Sequence, residues 1–312
     1  MAEAGLALAA LLAAGLLLLA RRVVRLDLPR TTLVARYAAP PSEFRTVASI
    51  TLHLRDEGPR DAPAILLLHG FGVSLHLWDG WAPLLAQRFR VIRCDLPGFG
   101  LTGADPTRDY SDERAVVILV ALLDELGVAR AHVIGSSMGG RIAWRLAAEH
   151  PDRVERLVLM APDGFAEDGR YDRPAKLSWL FRLLPWLLPE RPLRRIATAG
   201  HGDPATLTEA IFRRTHDLLR APGVRRAMLD RMAGARRSDP APFLARITAP
   251  TLLLWGDKDR MIPHAHAEDY ARAIPSAETV VLPGLGHAPM EEAPEASLAP
   301  VLAFLSRAAS AA

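Results

Sequence analysis

A single cysteine, Cys94, in 312 residues leaves no partner for an intrachain disulfide and rules out metal sites built on cysteine pairs. Its place at the end of an apolar run marks it as a core residue. Aromatics make up only 6% of the chain, and the net charge is only +3. The arginines that dominate the basic residues are scattered along helix-like segments rather than interleaved with aromatics, so no nucleic-acid surface is indicated. There is no internal repeat, and no low-complexity tract beyond the first 20 residues. Positive charge is also missing ahead of the uninterrupted Gly/Ala/Leu run at 5–20, where Glu3 is the sole charged side chain. A signal peptide carries positive charge before its apolar core. Here Arg21, Arg22, Arg25, Arg30 and Arg36 all follow it. The run is slightly shorter than the roughly 20 residues that cross a bilayer upright, but Val23 and Val24 extend it past arginines able to snorkel. These features predict a membrane anchor over residues 1–25, with the rest of the protein on the cytoplasmic side. A cleaved signal, giving a secreted or periplasmic protein, is the alternative, and a buried or peripheral helix the third. No alanine-x-alanine site sits cleanly after the run, which favours the anchor.

What is present is core-forming sequence. Half the residues are hydrophobic, enough for a sizeable interior and incompatible with wholesale disorder. Residues 26–43 carry Pro29, Pro40 and Pro41 without a sustained period and read as a linker. Strand patterns follow at Phe44–Val47 and Ile50–Arg55, the second alternating Ile50, Leu52 and Leu54. Ala64–Leu68, Val91–Cys94, Ala131–Ile134, Leu157–Met160, Thr251–Trp255 and Thr279–Leu282 are short apolar runs of the kind buried on both faces of a parallel sheet. Helix patterns alternate with them. The clearest opens at Ser111 with Asp112 and Glu113 in its first turn and stops at Gly127. The alternation predicts an α/β fold, a mostly parallel central sheet with helices on both faces. It breaks after Asp163: the stretch 164–239 is helix-rich, arginine-rich and proline-punctuated, and reads as a helical cap inserted between core segments 44–163 and 240–312.

The most telling run is Val133-Ile134-Gly135-Ser136-Ser137-Met138-Gly139-Gly140. Strand, Gly-x-Ser-x-Gly and helix in immediate succession form the context of a nucleophile elbow. Ser137 would occupy a strained turn with glycines letting strand and helix pass beside it, and the helix N-terminus behind it favours developing negative charge. A serine needs a base, and the base needs a partner that fixes its tautomer. His287 follows a strand pattern in the glycine-rich loop Pro283-Gly284-Leu285-Gly286, and is the candidate base. Three aspartates compete as its partner. Asp259, in Gly256-Asp257-Lys258-Asp259, has the preferred loop position; Asp163, after the Leu157–Met160 strand, and Asp257 remain alternatives. An oxyanion needs two backbone donors. The N–H of Met138 is one, and Phe71, in the loop His69-Gly70-Phe71-Gly72, is the other. His69 itself reads as structural, bonding to backbone.

Taken together these residues resemble the α/β-hydrolase superfamily, specifically its cap-bearing, esterase- and lipase-like serine hydrolases, over about residues 44–310. Asp95-Leu96-Pro97-Gly98-Phe99-Gly100 and Leu244-Ala245-Arg246-Ile247-Thr248-Ala249-Pro250-Thr251 add to the likeness. The resemblance implies hydrolysis of carboxylic esters through a covalent acyl-serine, with no metal or organic cofactor. Dehalogenases and epoxide hydrolases of this fold carry aspartate where Ser137 stands. Carbon–carbon bond hydrolases often carry a Gly-x-Gly-Pro-Gly-like loop where this chain has Gly70-Phe71-Gly72-Val73-Ser74. An acyltransferase, a perhydrolase or a non-catalytic receptor could be built on the same residues. The apolar cap stretch Leu177–Pro189, with Trp179 and Trp186, is expected either to pack on the core and line an acyl pocket or to offer a surface to lipid. Either way it implies an apolar, lipid-like ester as substrate.

Overall fold

Alternate side chains along neighbouring strands separate into two cores, one on each face of a single sheet. In the computed structural model, which describes residues 24–166, 169–171, 177–235 and 238–307, eight strands form this sheet. They are β1 (Ser42–Val47), β2 (Ile50–Glu57), β3 (Ala64–Leu68), β4 (Arg90–Cys94), β5 (Ala131–Ser136), β6 (Val154–Met160), β7 (Thr251–Gly256) and β8 (Ala277–Leu282). Their order is β1-β2-β4-β3-β5-β6-β7-β8. Strand β2 runs antiparallel to both β1 and β4, while β3 to β8 are mutually parallel. Leu66, Leu68, Ile92, Val133 and Leu157 join one core; Ile65, Leu67, Val91, Ile134 and Val158 join the other. Burial on both faces is why these strands are continuous apolar runs rather than polar–apolar alternations.

Eight longer helices cover the sheet or rise above it: α1 (Arg30–Tyr37), α2 (Asp112–Glu125), α3 (Met138–Glu149), α4 (Glu190–Ala199), α5 (Glu209–Leu218), α6 (Val224–Gly234), α7 (His266–Ala273) and α8 (Pro294–Leu305). Helix α2 shows local sequence at work. The Ser111 hydroxyl caps it by accepting from the Arg114 N–H at 3.1 Å, and Asp112 and Glu113 sit at its positive end. Gly127, at φ 66°, lets the chain leave. Its Ala115, Ile118, Leu119, Leu122 and Leu123 are buried, and that packing rather than propensity supplies most of its stability.

Strand β3 has β4 on one side and β5 on the other, so the chain's crossovers part at this strand. In parallel α/β sheets ligands bind beyond the C-terminal ends of the strands at such a point. Between β6 and β7 the described residues contribute no strand to the sheet. They form helices α4, α5 and α6, hereafter the cap.

Two expectations are corrected here. Residues 26–43 are not a loose linker: they contain α1, whose Leu33 is fully buried, and the start of β1. Arg36 and the Tyr37 hydroxyl both reach Asp217 of α5, at 2.8 and 2.9 Å. Sequence periodicity misses so short a helix because tertiary partners hold it. The expected membrane anchor, and the membrane localisation built on it, are withdrawn. Among the described residues no helix is long and apolar enough to cross a membrane, and the run 5–20 lies outside them. The chain that follows packs against the cap rather than continuing as a span. Val24 bridges Leu187, the Arg25 N–H donates to Trp186 O at 2.9 Å, and Asp27 pairs with Arg225 of α6 at 2.7 Å.

Candidate active site

Ser137 stands between the last residue of β5 and the first of α3, with φ 55° and ψ −120°. L-residues rarely adopt that backbone, which costs on the order of 1–3 kcal/mol and needs support from its surroundings. The support is visible. The Ser137 N–H donates to Met160 O at 3.0 Å, and its carbonyl accepts from Arg141 and Asp163 N–H at 3.0 and 3.1 Å. Strand and helix then crowd together. A Cβ on Gly135 would overlap the Gly139 carbonyl, and one on Gly139 would overlap the Leu68 carbonyl of β3.

The loop after β3 lies directly against the serine. A methyl group on Gly70 would sit 3.3 Å from Ser137 Cβ and 3.9 Å from its Oγ. His69 organises this loop. Its Nε2 accepts from the Leu96 N–H at 2.9 Å, so Nδ1 carries the proton and donates to Gly70 O at 2.8 Å. Burial pushes His69 below its ordinary pKa and keeps it neutral. Neither the Phe71 nor the Met138 amide donates a hydrogen bond among the described residues. Met138 opens α3, so its N–H has no intrahelical acceptor. The Phe71 ring meets Phe99 edge-on, 5.4 Å between centroids.

The loops after β7 and β8 are stitched together. Asp257 N–H donates to Leu282 O (3.1 Å), Lys258 N–H to Leu285 O (2.9 Å) and Gly284 N–H to Asp257 Oδ1 (2.7 Å). Asp259 and His287 meet across this seam, Oδ2 to Nδ1 at 2.7 Å. The other carboxylate oxygen of Asp259 accepts from Met261 and Ile262 N–H, at 2.8 and 2.9 Å. Of the three candidate acids, Asp259 touches the histidine. Asp163 instead faces Arg141 at 2.8 Å, and Asp257 accepts from Gly284 in the loop after β8. Ser137 Oγ makes no hydrogen bond to His287.

A family model described as the alpha/beta hydrolase fold matches residues 63–294, most of the chain. The chain belongs to the α/β hydrolases. One relative of this hydrolase is the dihydrolipoyllysine-residue acetyltransferase component of the acetoin cleaving system of Pseudomonas putida, 33% identical over 86% of this chain and 70% of that one. Another is the 2-hydroxy-6-oxo-6-phenylhexa-2,4-dienoate hydrolase of Burkholderia cepacia, 30% identical over 79% of this chain and 90% of that one. Among solved structures, a membrane phospholipase A described as a bacterial virulence factor superposes with TM-score 0.73 and 26% identity, covering 97% of each chain.

Two features of this α/β hydrolase could not be read from the sequence. Trp179 and Trp186 do not pack on the core: they are 69% and 57% exposed, beside exposed Leu180 and Phe181 on a turn at the cap's surface. From that stretch Leu188 is buried and Leu184 packs against the core. The second feature is a His–Asp pair the sequence reading missed. His53 Nδ1–H donates to Asp95 Oδ2 at 2.7 Å with both side chains fully buried, and His53 Nε2 lies 3.0 Å from Ser42 Oγ. Asp95 also accepts the Leu75 and Leu101 N–H groups, at 2.8 and 2.7 Å. Burial alone would raise its pKa, but His53, His69 and His76 hold it well below the usual carboxylate range. The pair ties down the loops at Leu75 and Leu101. The only sequence signal was that Asp95 opens a loop at a strand end.

Proposed function

We propose that this α/β hydrolase is a serine hydrolase that cleaves carboxylic esters with an apolar or lipid-like acyl group. The observation that carries the reading is the His287–Asp259 contact. With Nδ1–H committed to the carboxylate, Nε2 keeps the lone pair a general base needs. In this reading Ser137 Oγ attacks the acyl carbon while His287 takes its proton. The Phe71 and Met138 amides hold the oxyanion, and His287 returns the proton to the leaving alcohol. Water then repeats the sequence on the acyl-serine. The Asp259 carboxylate, in contact with Nδ1, stabilises the imidazolium. The exposure of the apolar turn at Trp179–Trp186 and the name of the phospholipase neighbour support an apolar ester substrate.

The test is a panel of p-nitrophenyl esters of rising acyl length, with wild type and Ser137→Ala. Activity that rises with chain length and vanishes in the variant is expected; no activity on any ester overturns the assignment. Two other readings each have a named relative behind them. Acyl transfer is favoured by the P. putida acetyltransferase component, and product analysis with added alcohol or amine acceptors separates it from hydrolysis. Hydrolysis of a 2-hydroxy-6-oxo-dienoate is favoured by the B. cepacia relative, and adding that substrate to the panel separates it from the ester reading.

A further inference from the structure

The base loop is held from an unexpected side. His287 and Ala288 N–H both donate to Gly200 O, at 2.7 and 3.2 Å, and Gly200 closes helix α4 of the cap. Five residues after His287, Glu292 extends this contact. Its Oε1 accepts from Gly286 N–H at 2.8 Å and its Oε2 from Gly202 N–H at 2.7 Å. Three consecutive amides of the base loop, at Gly286, His287 and Ala288, thus end on the cap turn or on the carboxylate that grips it. The two segments are in direct contact, since a Cβ on Gly202 would overlap the Gly284 carbonyl and one on Gly286 would overlap the Gly202 nitrogen. Hydrogen bonds from backbone N–H to an ionised carboxylate are stronger than neutral ones, so Glu292 is well suited to fix both chains at once. The side chain of its neighbour Glu291 reaches the cap elsewhere, at Arg214 Nη2 of α5 (2.7 Å), and its carboxylate makes no hydrogen bond to the base loop.

We propose that Glu292 is a positioning residue that locks the His287 loop to the cap turn Gly200–Gly202 and so sets the imidazole's reach toward Ser137. The proposal rests on the serine-hydrolase reading for its kinetic consequence, though not for the clamp itself. It also makes this end of the cap a fixed wall of the site rather than part of a lid.

The experiment compares wild type, Glu292→Gln and Glu291→Gln in the full chain, by amide hydrogen exchange and by ester kinetics. A carboxamide has one acceptor oxygen for two donors and turns an NH2 group against the other. Exchange at Gly202, Gly286 and His287 should be about tenfold faster or more in Glu292→Gln, because broken bonds open the segment locally, and should stay at the wild-type rate in Glu291→Gln. On the best ester, kcat of Glu292→Gln should fall roughly 10–100-fold with KM nearly unchanged, the size of effect a displaced catalytic group produces. Should Glu292→Gln fail to fold, Glu292→Asp, whose shorter arm cannot span both amides, carries the same comparison. Unchanged protection at Gly202 and Gly286, or equal kcat in the Glu292 and Glu291 variants, overturns the proposal. A wild type inactive on every ester removes the serine-hydrolase reading instead, and the exchange rates still decide the clamp.

Discussion

Asp259 Oδ2 lies 2.7 Å from His287 Nδ1, although 28 residues of chain, helix α7 and strand β8 separate them. The carboxylate is fully buried and the imidazole is 11% exposed, so water does not compete for the contact. Asparagine at position 259 would keep the oxygen that accepts from Met261 and Ile262, but would lose the anion that selects the Nδ1–H tautomer. Asp259→Asn should therefore lower kcat by about 10⁴-fold, as loss of a triad acid does elsewhere. Asp163→Asn should leave kcat within a few-fold of wild type, because Asp163 faces Arg141. Steady-state kinetics on the best ester checks both.

The elbow should tolerate no side chain at its glycines. Gly135→Ala and Gly139→Ala each drive a methyl group into backbone carbonyls, and overpacking of that kind costs about 1–3 kcal/mol. Gly127→Ala meets nothing within 4 Å and should lose only the roughly 1 kcal/mol of its left-handed backbone. Chemical denaturation of the three variants should order them this way.

Stability should fall as pH rises toward neutrality because of Glu291. Burial pushes its pKa up to about 7, with Asp79 and Glu292 adding to the rise and Arg214 opposing it. Between its ordinary range and 7 the folded state holds a proton the unfolded state has released. The contribution is complete at acid pH and is lost as pH climbs through 7. Glu291→Gln should flatten that slope, by about 3 kcal/mol between pH 4 and pH 8. Urea denaturation across this pH window is the measurement, and an unchanged slope would count against the assignment.

Asp95 should show the opposite sign. Its folded pKa is depressed, so its contribution is present at neutral pH and lost as pH falls below the usual carboxylate range. Asp95→Ala would strip acceptors from Leu75, Leu101 and His53 at once. Breaking a buried network of this kind costs about 3–5 kcal/mol. The melting temperature should drop well beyond that of a surface variant.

Trp179→Ser and Trp186→Ser should leave stability within about 0.5 kcal/mol, as surface changes do. The kcat/KM on long-chain esters should fall while short-chain esters are unaffected. Equal losses across the panel would sink the role of this turn in acyl recognition.

Much of the architecture was legible because it rests on short-range pattern. Doubly buried strands such as Ala64–Leu68 and Thr251–Trp255 need apolar side chains on both faces, and that requirement is written in the run itself. The Ser111 cap and the Gly127 stop of α2 are equally local. The helix Arg30–Tyr37 was not legible, since Leu33 and the partners at Asp217 hold it from a distance. Nor were Glu292 or the His53–Asp95 pair, whose partners lie 90 and 42 residues away.

The amino-acid order by itself determined the strand–helix alternation, the glycine-flanked turn around Ser137 and the loops that carry His287 and its candidate acids. Each is a property of a few adjacent residues and their backbone preferences. Only the tertiary structure decided which aspartate meets His287, that Trp179 and Trp186 face outward, and that the cap turn grips the base loop. Those relations depend on how β7, β8 and the cap helices pack together. No local preference encodes a contact whose two halves become neighbours only after the sheet has formed.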